Sequence, residues 1–318
     1  MEKNCLVTKY KATVNDNSLL KVGEMFIDII EQESPTNQSN RLYLNTGNTS
    51  DLVVEVEDGA ANLTLDENMV SGWTNKITLS KSVTAPAPIF VRNGNYRLKV
   101  TSKYNLTEVG RYTVSINQKA ISVDVKYLKY SPNLVNLITC LSGNLANISG
   151  CTKLHRLSTI SKSNLTGDLS DLAPLTALTN LDLSSSINIT GSLSDLAPLT
   201  ALTNLNLYFC ENVTGSLSDL APLTALTDLN LGNTSNLTGD IKDIRQPLKS
   251  LDVYNTNITG ELIEFVKTQR ANGRTTGSCK GIWGKVITFN GIGNLGWTAK
   301  TLTWTENTIT LGDVTVNQ

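Results

Sequence analysis

The sequence predicts an α/β chain leaning to mostly β: an N-terminal antiparallel β-sandwich, then a solenoid of 24-residue coils, then a cap of one helix and β-hairpins. Three observations predict it. From Cys5 to about Asn117, apolar and polar residues alternate with period two in short runs, the pattern of half-buried strands. The phrase Leu-Ser-Asp-Leu-Ala-Pro-Leu-Thr-Ala-Leu-Thr-Asn-Leu runs from Leu169 to Leu181, returns at Leu193 to Leu205, and returns again, with Asp228 in place of Asn, at Leu217 to Leu229. A fixed period of this length marks stacked repeats. After Gly260 the spacing of apolar residues turns helical and then alternates once more.

The composition narrows the function classes. The chain has 318 residues, 40% of them apolar, enough for two domains that each bury a core. Its 27 basic and 28 acidic residues are mixed along the chain and leave a net charge of −1, so neither nucleic acid nor an anionic membrane surface is an expected partner. No apolar run approaches the ~20 residues that span a bilayer, and no membrane insertion is expected. The opening MEKNCLVTKYKATV lacks the apolar core of a secretion signal, so synthesis in the cytoplasm is the expectation. Five cysteines without a Cys-x-x-Cys pair, beside a single histidine, give no zinc site, and no cofactor is expected. Cys140 and Cys151 are near enough to meet, but free thiols are the expectation.

Residues 1–120 are read as the sandwich, an anchoring domain. Its strands are expected at 6–14, 25–30, 41–44, 52–56, 76–79, 96–100 and 112–116, separated by turn signals such as Asp58-Gly59 and Asn93-Gly94-Asn95. Ala85-Pro86-Ala87-Pro88 belongs at an edge or crossover, because proline has no ladder donor. Trp73 is either a ligand-stacking platform or a core aromatic at the sheet rim, and the second is expected.

Residues 121–262 are the array. Gly143, Gly167, Gly191, Gly215 and Gly239 recur every 24 residues and Gly260 follows after 21. Before Gly191, Gly215 and Gly239 comes Leu-x-x-Leu-x-Leu, as Leu178/Leu181/Leu183, Leu202/Leu205/Leu207 and Leu226/Leu229/Leu231, and before Gly143, Gly167 and Gly260 the same phrase with Thr139, Thr159 or Val253 in its last place. Leucines two apart on a strand point to one side, into the coil, and stacked copies make a parallel sheet. The turn Asn-x-Thr-Gly plugs the interior with its second residue. Its glycine takes a positive φ or admits a close backbone. The return path Ser-Asp-Leu-Ala-Pro-Leu carries a proline, which allows one 3₁₀ turn rather than a long helix.

From about Tyr130 to Leu262 these residues resemble a leucine-rich repeat. Where that family usually places a laddering Asn, this chain has Ser186, Cys210, Thr234 and Thr256, so hydroxyls and a buried structural thiol are expected to replace the ladder. The Asn-x-Thr triplets at Asn164, Asn188, Asn212, Asn236 and Asn257 match a glycosylation acceptor, yet they fall at one phase of the repeat and are read as turn residues.

The resemblance implies that partners meet the concave face. Carried over position by position, that face is lined by Asn180, Asp182 and Ser184; Asn204, Asn206 and Tyr208; Asp228, Asn230 and Gly232; and Ser250, Asp252 and Tyr254, preceded by Arg156, Ser158 and Ile160. Polar columns with a few tyrosines suit a protein or glycan surface. The alternative is that duplicated polar residues merely keep the sheet soluble.

Residues 263–318 are the cap. Glu261 to Ala271 reads as an amphipathic helix stopped at Asn272-Gly273, with hairpin strands at 285–289, 301–305 and 308–311. Trp283, Trp297 and Trp304 are expected in the capping core rather than on a platform. His155 is alone and Gly277-Ser278-Cys279 lacks nucleophile-elbow spacing, so no acid-base pair or activated nucleophile can be assembled and no enzymatic activity is expected. The composition of the two ends resembles leucine-rich proteins of gut Bacteroidales and their phages. That resemblance implies an interaction protein of a virion, with residues 1–120 docking it to a larger assembly or a second copy. A structural spacer without ligand and a bacterial adhesion protein are the alternatives.

Overall fold

In the computed structural model, residues 121–159 and 163–282 are described throughout, with shorter stretches at 24–29, 39–42, 44–45, 52–65, 72, 74–79, 89–92, 96–102, 108–110, 287–288, 299–305, 308–311 and 314–317. The strands expected at 6–14 and 112–116, the Pro-rich 85–88 segment, Trp73, Trp283 and Trp297 lie outside these residues. The described chain is mostly β with one α-helix, and it divides into two compact units, Met1–Thr166 and Gly167–Gln318.

In the first unit, Glu24–Ile29 and Leu52–Val56 both pair antiparallel with Tyr96–Ser102, and Lys76–Leu79 extends that set beyond Leu52–Val56. Ile89–Arg92 pairs antiparallel with Ser39–Leu42 and with Leu63–Thr64 in a second set. The alternation read from the sequence is real: along Leu52–Val56 buried and half-buried residues alternate, with Leu52, Val54 and Val56 inside. The antiparallel pattern then gives way to a parallel one. Ile121–Asp124 and Glu108–Gly110 both run parallel to Asn136–Asn144, and Asn136–Asn144 pairs parallel with Arg156–Thr159, placing Leu137 beside Leu157. Against the expectation of free thiols throughout, Cys140 is disulfide-bonded; Cys151 is a free buried thiol, so the two are not joined to each other.

In the second unit the coils stack as their leucines require. Asn180–Asp182, Asn204–Asn206, Asp228–Asn230, Ser250–Asp252 and Gly277–Ile282 form one parallel sheet, with Leu181, Leu205, Leu229, Leu251 and Cys279 in register. All five are buried, as are Leu183, Leu207, Leu231 and Val253 one step along the strand direction. Each outward side chain is therefore fixed by two buried neighbours, which is how an apolar interior positions a polar surface.

A second set of parallel strands runs through the Asn-x-Thr-Gly turns, pairing Gly191 with Val213 and Gly215 with Leu237. The proline-bearing return is a 3₁₀ turn in each coil: Leu169–Leu172, Leu193–Leu196 and Leu217–Leu220. Each starts on a reciprocal capping box. Ser192, for example, caps the Ser194 N–H while Asp195 accepts from the Ser192 N–H at 2.7 Å. That box is written in the sequence as Asp168-x-x-Asp171, Ser192-x-x-Asp195 and Ser216-x-x-Asp219.

The helix Leu262–Ala271 buries Leu262, Ile263, Phe265, Val266 and Gln269 and ends at Gly273, whose φ is +84°. Trp304, on Ala299–Trp304, is buried with its ring edge-on to Phe265 at 5.8 Å and its indole N–H donating to the Arg274 carbonyl. Trp304 is thus a core aromatic, as expected.

Candidate functional site

The expected site residues of the second unit fall in three columns across its parallel sheet. Asn180, Asn204, Asp228 and Ser250 are in register in the first; Asp182, Asn206, Asn230 and Asp252 in the second. Ser184, Tyr208, Gly232 and Tyr254 follow two residues on. Except for the buried Gly232, all of them are half-buried: rooted in the sheet, with part of each side chain reaching solvent. In the first unit Arg156 is exposed and Ser158 half-buried, while Ile160 lies outside the described residues.

The second column has a structural duty that the sequence pattern does not announce. In every coil its Asp or Asn accepts the backbone N–H two residues ahead: Asp182 from Ser184 at 3.0 Å, Asn206 from Tyr208 at 3.1 Å, Asn230 from Gly232 at 3.1 Å and Asp252 from Tyr254 at 2.9 Å. These Asx turns bend the chain out of the strand. The next residue is then left-handed in all four coils: Ser185, Phe209, Asn233 and Asn255 have φ between 54° and 63°. One carboxylate or amide oxygen per residue is thereby committed inward. In the first column, Asp228 accepts the Ser250 hydroxyl at 2.6 Å.

The slot expected to replace an asparagine ladder does so in part. The Cys210 thiol donates to the Leu183 carbonyl at 3.0 Å and the Thr234 hydroxyl to the Leu207 carbonyl at 2.9 Å, each reaching back one coil, whereas Thr256 bonds the Val253 carbonyl of its own coil. Burial pushes the Cys210 thiol up to about 12, so it stays protonated and acts as a donor.

An amide ladder does exist, displaced onto the Asn-x-Thr triplets. Asn212, Asn236 and Asn257 donate to the Ile187, Glu211 and Ser235 carbonyls at 2.6–2.7 Å. The paired threonines Thr214, Thr238 and Thr259 donate to the Gly191, Gly215 and Gly239 carbonyls at 3.2–3.3 Å. Both side chains of the triplet tie one coil to the one before, the turn role expected of them.

Inward leucines in register, a short parallel sheet and 3₁₀ returns complete the coil. It resembles a leucine-rich repeat. No family model matches the sequence, and no curated protein matches it. Solved structures of leucine-rich repeat proteins are similar in fold. The ectodomain of the plant receptor kinase GASSHO1/SCHENGEN3 from Arabidopsis thaliana, in complex with Casparian strip integrity factor 2, is 20% identical over 51% of this chain and 20% of its own, with a TM-score of 0.37. A leucine-rich repeat protein of Leptospira interrogans is 21% identical over 52% of this chain and 46% of its own, at 0.31. The functional domain of InlJ from Listeria monocytogenes, which includes a cysteine ladder, is 20% identical over 42% of this chain and 32% of its own, at 0.30. The chain therefore spans less than half the length of each of these leucine-rich repeat structures.

The chemistry available on the columns is hydrogen bonding and aromatic contact. Side-chain amides, carboxylates and hydroxyls stand in register on a rigid sheet with two tyrosines in the third column. Among the described residues no helix is long and apolar enough to cross a membrane.

Proposed function

We propose that this chain is a binding protein that recognises a protein partner through the Asn/Asp/Tyr columns of its second unit. The observation that carries the reading is the register itself: four consecutive strands hold Asn180, Asn204 and Asp228, then Asp182, Asn206, Asn230 and Asp252, half-exposed on one sheet. Side chains so anchored lose little further freedom on binding, which favours recognition by preorganisation.

We place the attachment of the protein to a virion or cell-surface assembly, or to a second copy, on residues 1–120 folded as a sandwich. Full burial of Ile89 and Leu63 from one antiparallel set and of Val54, Leu98 and Val100 from the other supports two sets of strands sharing a core.

The test uses the full chain and its Asn204→Arg/Asn230→Arg variant, screened side by side against a random-peptide display library and a glycan array. Binding of peptides by the parent and its loss in the variant supports the reading. Glycan binding without peptide binding replaces the partner class. Absence of both makes the array a structural spacer.

A further inference from the structure

We propose that the anchor of this recognition face is the aromatic step Tyr208–Phe209, and that its ligand is an extended, basic protein segment presenting an arginine or lysine beside an apolar side chain. The proposal rests on the reading of the columns as a protein-binding face and names the partner chemistry. Its first support is a residue placed against local preference. The left-handed position of each coil is held by Ser185, Asn233 and Asn255, but in the second of the four by Phe209, at φ +61°. Asparagine adopts this conformation readily and an aromatic residue does so at a cost. Burial does not explain the exception, because Phe209 is 36% exposed. Strain maintained for an exposed aromatic side chain points to use of that side chain.

The neighbours complete the step. The Tyr208 and Phe209 ring centroids are 5.9 Å apart, tilted by 42°. Tyr208 leans over Gly232: a Cβ at that glycine would stand 3.1 Å from Tyr208 Cδ2 and 3.1 Å from Asp252 Oδ1. The absent side chain at 232 thus brings an aromatic ring and a carboxylate to the same spot. On the preceding coil Ile187 is 43% exposed.

Charge selects the occupant. The outward positions of the four strands from Asn180 to Asp252 carry three carboxylates, Asp182, Asp228 and Asp252, and no basic residue. The flanking cations are Lys249, just before the fourth strand, and Lys280, in register with Asp252 on the fifth. Over Gly232, where Tyr208 and Asp252 converge, a cation gains both a carboxylate and an aromatic face. An acidic segment laid across these four strands would meet the three carboxylates.

The probe is a randomised twelve-residue peptide library displayed against the full chain. Selected peptides are resynthesised and titrated against the parent, Phe209→Asn and the Asn204→Arg/Asn230→Arg variant. Asn occupies the same backbone position at Asn233 and Asn255, so Phe209→Asn keeps the fold, checked by an unchanged circular dichroism spectrum and a Tm no lower than the parent's. The expected result is enrichment of Arg and Lys next to an apolar residue, affinity lowered about 30-fold by Phe209→Asn, and affinity that falls as salt rises. Selected peptides without basic enrichment, or binding Phe209→Asn as tightly as the parent, overturn the anchor. If such peptides still lose binding to the Asn204→Arg/Asn230→Arg variant, the recognition face stands without it. Peptides indifferent to both variants, or no selected peptide at all, overturn both.

Discussion

Replacing Gly215 by alanine tests whether the 24-residue register is set by close approach of backbones. Gly215 has φ +119°, outside the regions that L-residues favour. A Cβ there would stand 2.9 Å from the Leu193 backbone nitrogen and 3.0 Å from both Asp219 Oδ2 and Ser192 Oγ. The nitrogen belongs to the backbone of the preceding coil and cannot rotate away, and the two oxygens belong to that coil's capping box and this one's. Backbone strain of about 1–2 kcal/mol and overpacking of about 1–3 kcal/mol give an expected loss near 3 kcal/mol. Gly273 supplies the control within the same unit: its φ is +84° and a Cβ there would meet nothing within 4 Å, so Gly273→Ala carries the strain alone, about 1 kcal/mol. The measurement is urea unfolding of both variants by far-ultraviolet circular dichroism. A Gly215→Ala loss no larger than that of Gly273→Ala would refute close approach as the reason for the glycine.

Other outcomes follow from the inter-coil bonds and the cap. Cys210→Thr should leave stability within about 0.5 kcal/mol, since Thr234 makes the same bond one coil on, while Cys210→Ala removes the bond between coils, leaves the Leu183 carbonyl only the Ser186 N–H, and costs about 1 kcal/mol; equal losses would remove the ladder role. Burial raises the Cys151 and Cys210 thiols from 9.0 to about 12. A folded value above the unfolded one means stability intact below about pH 9 and lost as pH rises toward 12, so urea midpoints should decline across that window, and less steeply in Cys210→Thr. Asn236→Ala removes the 2.7 Å donation to Glu211 and should cost about 1 kcal/mol in the same assay; no change would leave the triplet without its turn role. Trp304→Ala should cost about 3–5 kcal/mol, because the indole is buried against Phe265.

Much of the coil was legible because leucine spacing and glycine phase are local: Leu181 and Leu183, Gly191 and Gly215 could be assigned from period alone, and Pro174, Pro198 and Pro222 shortened the return to a 3₁₀ turn. The strand Gly277–Ile282 was not, since Cys279 fills the slot of Leu251 without a leucine on either side. At the family's asparagine slot only the thiol and hydroxyl of Cys210 and Thr234 reach back one coil, and the amide ladder is elsewhere. It lies two residues later, at Asn212 and Asn236, because the left-handed residue before the slot turns the chain so that the later side chain faces the preceding coil. The Asx turns and the strained Phe209 depend on where each strand ends, which periodicity does not report. Asn233 and Asn255, at the same phase, were the signal that could have found them.

These contacts also explain which letters of the phrase repeat. Thr203, Thr227, Asn212, Asn236, Thr214 and Thr238 each bond the coil before, so their chemistry is fixed by stacking, and a coil that changed them would fray from its neighbour. The third column and the left-handed position carry no such bond through the side chains of Tyr208 and Phe209, which touch each other instead. At the left-handed position the Asn255 amide does donate to Asn233 one coil back, at 3.0 Å, but Tyr208 and Phe209 stand outside that pair, and the two positions hold Ser184-Ser185, Tyr208-Phe209, Gly232-Asn233 and Tyr254-Asn255 in turn. An array built from near-identical coils can distinguish one stretch of a partner from the next only where its own packing does not dictate the residue, and the aromatic pair stands at such a place.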